Sequence, residues 1–191
     1  MNLFIEIEKF ANNPKALINV LYYMRGAGCH IPYISPEIEA ITCRTPSSAL
    51  RHVRFVSPSG VSEKAERVFL KNPALGIRYL RKIRRETFQN EDTQRRFWKK
   101  VVKKAELAFQ WASAFGKRLS EQEEEIFIED MHRMKEYAYF VIKGPFPEKI
   151  HNMILLNSYK ELNQWEKKAL NEYVKYAEKY AESRMQTEKS S

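Results

Sequence analysis

The chain has 191 residues and a net charge of +9, with 43% hydrophobic and 30% charged residues. Those values suit one domain with a sizeable core, or one elongated repeat array, and they exclude wholesale disorder. Only six Gly and eight Pro are present, too few for the turns of a sheet sandwich, while strong helix formers are plentiful, so the expected class is all-α. No stretch approaches the roughly 18–20 uncharged apolar residues that span a bilayer, and Glu6 and Glu8 occupy the segment where a secretory signal would be basic. This predicts a cytoplasmic chain that is neither secreted nor embedded in a membrane.

From the N-terminus, Asn13-Pro14 and the run Ala16 to Met24 predict a first helical hairpin beginning near residue 3, set off by a loop from Gly26 to Ser35. A second opens at Pro36-Glu37 and turns at Thr45-Pro46; a third opens at Ser62-Glu63 and turns at Asn72-Pro73. Asp92 begins a degenerate copy, with Trp98 at the Val68 position and Phe109 at the Tyr79 position. Ser120-Glu121 begins the next, and Pro147-Glu148 the last, where Met153 and Ile154 hold the Val68 and Phe69 positions. The starts at 36, 62, 92, 120 and 147 are spaced by 26, 30, 28 and 27 residues. Tyr159 to Tyr180 predicts a longer C-terminal helix capping the stack, and the polar tail 182–191 is expected to fray. Residues 1–181 are therefore expected to form one α-solenoid-like array of stacked helical hairpins.

The clearest self-similarity places Ser62 on Ser120, Glu63 on Glu121, Val68 on Ile126, Phe69 on Phe127, Tyr79 on Tyr137 and Ile83 on Val141, without a gap. Each unit carries its own punctuation. Ser caps free amides, Pro suits a first helical turn, and Glu favours the positive end of the helix dipole. About ten residues later Asn-Pro or Thr-Pro ends one helix and opens another, because the residue before Pro avoids the α region. Helices this short are marginal alone and must bury one another's apolar stripes.

The run Glu136-Tyr137-Ala138-Tyr139-Phe140-Val141-Ile142-Lys143-Gly144-Pro145-Phe146-Pro147-Glu148 resembles the helical repeats of tailed-bacteriophage proteins of largely unassigned function. Their units read as Pro-Glu, an acidic and aliphatic turn, Pro, then Tyr-Ala, Val and Gly before the next Pro-Glu. The resemblance covers residues 36 to 165. Other copies depart from it: Tyr79 is followed by Leu80, Phe109 has no Ala beside it, and the unit from Pro147 has Gln164-Trp165 at that place. The resemblance implies an α-helical array and a viral origin, and no activity.

The basic excess is concentrated. From Lys64 to Lys104, fourteen Lys and Arg stand against Glu66, Glu86, Glu91 and Asp92. On a helix, Arg78, Arg81, Lys82 and Arg85 share one face. Arg95, Arg96, Lys99, Lys100, Lys103 and Lys104 form two adjacent i, i+4 columns, with Phe97, Trp98, Val101, Val102, Ala105 and Phe109 on the other side. Like charges at i, i+4 cost about 0.2–0.5 kcal/mol per pair, so these ten residues are the candidate binding site for an anionic partner, phosphates being one source of such charge. The bland reading is a solvated face, complemented by the Glu121 to Glu125 run.

Constellations that carry chemistry are missing from the sequence. His30, His52, His132 and His151 are scattered, and Cys29-His30 with Cys43 matches no usual zinc spacing. The two cysteines, too few for a disulfide framework, are expected to be reduced, small and buried. Glycine-rich phosphate loops and nucleophile elbows do not occur. Glu121, Glu123, Glu124 and Glu125 are expected to be solvated, and His132 with Glu136 to make a surface contact. No catalytic residue, metal or cofactor is therefore expected. The reading that results is a non-enzymatic helical-repeat protein docking on a host or viral macromolecule, a protein or nucleic acid with an anionic surface. The alternative is an RNA- or DNA-binding protein contacting phosphates through residues 78–104.

Overall fold

The structure, a computed structural model, describes residues 7–10, 12–27, 34–157 and 161–189. Among them are eleven α-helices and no strand, so the chain is all-α. Cys29, His30, Tyr159 and the expected hairpin start near residue 3 lie outside the described residues. Where composition suggests one body, the chain divides into two compact units, Met1–Lys99 and Lys100–Ser191.

The first unit holds α1 (Pro14–Gly26), α2 (Pro36–Thr42), α3 (Pro46–Phe55), α4 (Glu63–Glu66) and α5 (Pro73–Tyr79). Helix α6 (Glu91–Val101) carries the chain across to the second unit. There follow α7 (Ala105–Phe115), α8 (Glu121–Glu124), α9 (Met131–Tyr137), α10 (Glu148–Asn157) and α11 (Gln164–Lys189). Within the first unit α1 packs on α3 and α3 on α5; within the second, α7 packs on α9 and α9 on α11. Within each unit the second helix of one hairpin thus lies against the second helix of the next.

Local chemistry accounts for the helix starts. The side chains of Asn13, Ser35, Thr45, Ser62, Asn72 and Asp130 each accept a hydrogen bond from the backbone amide three residues on. Pro46 and Pro73 occupy the first positions of α3 and α5, as expected from the Thr-Pro and Asn-Pro turns. Asp130 caps α9 without any proline, because the cap and not the ring satisfies the amide.

The 58-residue repeat holds at the level of helix type. α4 and α8 both tighten into 3-10 turns, Arg67–Lys71 and Glu125–Glu129, and α5 and α9 both widen into π-turns, Leu80–Arg84 and Ala138–Ile142. Both π-turns end on a left-handed residue that is not Gly: Arg85 at φ 60° and Lys143 at φ 56°. Phe69, Tyr79, Phe127 and Tyr137 are wholly buried. Phe69 stacks on Tyr79 at 4.5 Å and Tyr79 lies 6.0 Å from Phe88; Phe127 stacks on Tyr137 at 4.3 Å and Tyr137 lies 5.7 Å from Phe146. Such ring pairs add about 0.5–1.5 kcal/mol beyond the area they bury. Val68 and Ile126, beside them, are only half-buried. Gly76 lets α6 approach: a Cβ there would meet Phe97 Cε2 at 2.5 Å.

Three expectations are corrected. Counted from the residue before each second helix, Val101 and not Trp98 or Lys99 stands where Phe69 and Phe127 stand, and it is wholly buried, while Trp98 and Phe109 are half-buried. The frame taken from Asp92 slips because Asn90, not Asp92, caps α6, its side chain accepting from the Thr93 amide. In the last hairpin the tyrosine place belongs to Tyr173, wholly buried, and not to Gln164-Trp165, since Trp165 is 79% exposed. The tail expected to fray from residue 182 remains helical to Lys189.

Candidate functional site

All ten basic candidates are exposed. Seven belong to the first unit; Lys100, Lys103 and Lys104 belong to the second. The structure does not place them as two ruled helical faces. Arg78 ends α5, but Arg81 and Lys82 ride the π-turn and Arg85 is the left-handed residue that closes it, so the 3.6-residue face breaks after Tyr79. Their position supplies a local reason for the charge, since cations in a last helical turn meet the negative end of the helix dipole. Likewise α6 stops at Val101, which interrupts both lysine columns. Arg95, Arg96, Lys99 and Lys100 share its wet side, whereas Lys103 lies in the following turn and Lys104 directly precedes α7. Phe97 and Val101 are buried opposite them.

Partial neutralisation is local. Arg95 donates to Asp92 Oδ1 at 2.9 Å and Arg96 lies 3.6 Å from Oδ2, and the Arg95 hydrogen bond is the main cause that holds the Asp92 carboxyl below its ordinary range. Exposed pairs of this kind contribute about 0–1 kcal/mol. Among the described residues no ion pair involves Arg78, Arg81, Lys82, Arg85, Lys99, Lys103 or Lys104.

Arg84, in the same basic segment, is different. Its Nε donates to Glu66 Oε1 at 2.9 Å and its Nη2 to the Val61 carbonyl at 3.1 Å. Glu66 is wholly buried and also accepts from the Tyr79 hydroxyl at 2.8 Å and the Gln89 amide at 2.8 Å. Burial first, then the bond to Glu66, pushes the Tyr79 phenol up to about 12. The repeat rebuilds this site 58 residues on. Tyr137 donates to Glu124 Oε1 at 3.1 Å and accepts from the Leu119 amide at 2.7 Å, while Arg118 grips both Glu124 oxygens at 2.6 and 2.8 Å. Glu124, expected to be solvated, is therefore buried, because Tyr137 and Arg118 satisfy it where water would. In the last hairpin Tyr173 accepts from the Phe146 amide at 3.3 Å and pairs with His151 Nδ1 at 2.8 Å, so His151 stands in for the carboxylate. The signal in the sequence is the recurrence of Glu66 and Glu124 at equal distances before Tyr79 and Tyr137. Every oxygen of these carboxylates is occupied by the protein itself, which makes them framework groups.

Aromatic rings meet cations elsewhere. In the second unit Tyr139 stacks on Tyr176 at 4.1 Å, in a depression of about 480 Å³ also lined by Tyr180, Lys175 and Lys179. His132 Nε2 lies 3.5 Å from Glu136 Oε1 and is well exposed, a surface contact as expected. Cys43 is a buried free thiol, pushed up to about 12 by desolvation. No group of three or more metal-ligating side chains occurs among the described residues, and none of their helices is long and apolar enough to cross a membrane.

Comparison with protein-family models, with curated proteins and with solved structures finds no match for this chain.

Proposed function

We propose that the chain is a non-enzymatic helical-repeat binding protein, phage-encoded and acting in the host cytoplasm, that docks on a host or viral macromolecule with an anionic surface. The observation that carries this reading is the exposure of all ten candidate cations, while the buried carboxylate of the first unit, Glu66, pairs with Arg84 and with none of them. Like charges crowded on and around α6 are relieved by an external anion. Arrays of this type present extended surfaces and carry binding without a pocket.

The test combines charge reversal with capture from lysate. A tagged chain is passed over nuclease-treated infected or host lysate beside its R95E/K99E/K103E variant. A stoichiometric protein held by the wild type and lost by the variant is the expected result. Retention by both alike, or by neither, would refute the reading.

A second reading, RNA or DNA bound through phosphates by residues 78–104, is favoured by the same exposed cations. The Tyr139 and Tyr176 depression with Lys175 and Lys179 adds a place where a base can stack. Binding of generic RNA and DNA oligonucleotides is measured against salt; phosphate contacts give a steep loss of affinity as salt rises. Absent affinity at low salt, or no loss in the R95E/K99E/K103E variant, removes this reading.

A further inference from the structure

The 58-residue repeat gives two grooves one wall in common, the α4 segment in the first unit and the α8 segment in the second, and gives them opposite charge; the other wall is the preceding hairpin's α2 in the first and the following hairpin's α10 in the second. In the first unit, α2 and the α4 segment flank a groove of about 370 Å³ whose floor includes Ala40, Cys43 and Val68. Its rim carries Arg44, Lys64, Arg67 and Lys71 against the single carboxylate of Glu39. All four cations are exposed, and Glu39 is already engaged, accepting from the Ser62 amide at 2.7 Å and from its hydroxyl. In the second unit, the α8 segment and α10 flank a groove of about 650 Å³ with Ile126, Ile128 and Met153 in its lining. Its charged lining is Glu123, Glu125 and Glu129, with no cation. Position by position, Arg67 is replaced by Glu125 and Lys71 by Glu129, while Val68 is matched by Ile126.

On the shared wall the apolar position is thus kept, while two cations give way to two carboxylates. Both hairpins place a half-buried aliphatic residue, Val68 or Ile126, at this position, but nothing in the hairpin itself requires Lys71 to become Glu129. Glu123 serves the cap of α8, accepting from the Ser120 amide at 3.1 Å. Glu125 meets Lys149 at 2.7 Å, an exposed pair that solvent and salt weaken. Opposed rims over partly apolar floors are what a self-complementary but non-symmetric contact needs, with charge setting partner choice and register and apolar burial holding the contact.

We propose that the basic groove of one copy receives the acidic helical segment Glu121–Glu129 of a second copy, so that the chain associates head to tail. A contact of this kind joins unlike surfaces and leaves one of each unfilled at the ends. The assembly therefore grows with concentration, or closes into a ring, instead of stopping at a two-fold dimer.

Sedimentation velocity of the full chain from low micromolar to near-millimolar concentration tests this, at about 20 mM and about 0.5 M salt, between which the Debye length contracts from roughly 20 Å to roughly 4 Å. Association that weakens by about tenfold or more at high salt is expected. The variants K64E/R67E/K71E and E125K/E129K change exposed or half-exposed side chains, and circular dichroism checks that each folds. Each alone has two grooves of like sign and should remain monomeric. Mixed in equal amounts they regain opposed grooves and should associate again, and a chain carrying all five changes should behave as the wild type. A wild type that is monomeric throughout, variants that associate as well as it does, or a mixture that fails to recover would overturn the proposal. So would a monomeric chain whose K64E/R67E/K71E variant loses affinity for an RNA oligonucleotide, which would assign the basic groove to nucleic acid.

Discussion

Replacing Glu66 by Ala removes the group on which one end of the first unit's aromatic stack depends. Its oxygens accept from Tyr79, Arg84 and Gln89, and Glu66 and Tyr79 are both wholly buried. Gln89 is exposed and its amide can turn to water. The Arg84 side chain, 26% exposed, regains part of its hydration and loses a partner, whereas the buried Tyr79 hydroxyl still accepts from Arg84 Nε at 3.2 Å but is left with no acceptor for its own proton. An unsatisfied buried hydroxyl costs about 1–3 kcal/mol, and removal of one partner from a buried pair costs about 3–5 kcal/mol in all. A loss of about 3–4 kcal/mol is expected for Glu66→Ala, and of about 1 kcal/mol for Tyr79→Phe, which leaves Arg84 and Gln89 in place. Urea unfolding followed by circular dichroism reads the total, and hydrogen exchange reads which unit has loosened, since two compact units need not unfold together. If Glu66→Ala costs less than about 1 kcal/mol, or no more than Tyr79→Phe, the carboxylate is not the keystone argued for it. Glu124→Ala in the second unit should cost somewhat less, because the Arg118 side chain is 45% exposed and returns to water more easily.

Gly76→Ala drives a methyl into the buried Phe97 ring and should destabilise by about 1–3 kcal/mol, read as a lower urea midpoint at constant slope; an unchanged midpoint would show that α6 moves away freely. Arg85→Gly and Lys143→Gly relieve left-handed backbone at φ 60° and φ 56°, and each should raise stability by up to about 1 kcal/mol in the same titration. His52 is wholly buried with no hydrogen-bond partner for either ring nitrogen among the described residues, and desolvation holds its pKa below the usual value. The unfolded chain then takes up the proton first, so stability is complete above about pH 6.5 and declines as the pH falls from there toward the depressed folded value. Melting temperatures across pH 5–8 should show that decline in the wild type and a shallower one in His52→Leu; equal slopes would mean that other groups set it.

The order of hairpins was legible from the sequence because capping and turn chemistry act within a few residues. Ser62, Asn72 and Thr45 announce their helices whatever packs against them. The all-α class and the identity of Phe69, Tyr79, Phe127 and Tyr137 as core followed from a repeat that needs no third dimension to be seen. The ten cations were legible as exposed residues because Lys and Arg side chains are almost never fully buried.

What only the tertiary structure decided depends on pairs of residues far apart in the chain. The burial of Glu124 needs Tyr137 and Arg118 to converge on it, and a carboxylate in an acidic run looks solvated until they do. Tyr173 displaces Trp165 from the tyrosine place because α11 begins only at Gln164, and where a helix starts is invisible to a fixed repeat frame. The π-turn after Tyr79 and the stop of α6 at Val101 break faces that a regular 3.6-residue helix would have kept whole. Local composition chose the elements and their ends; the frame in which their side chains face one another came from packing, where burial and hydrogen-bond satisfaction outweigh periodicity.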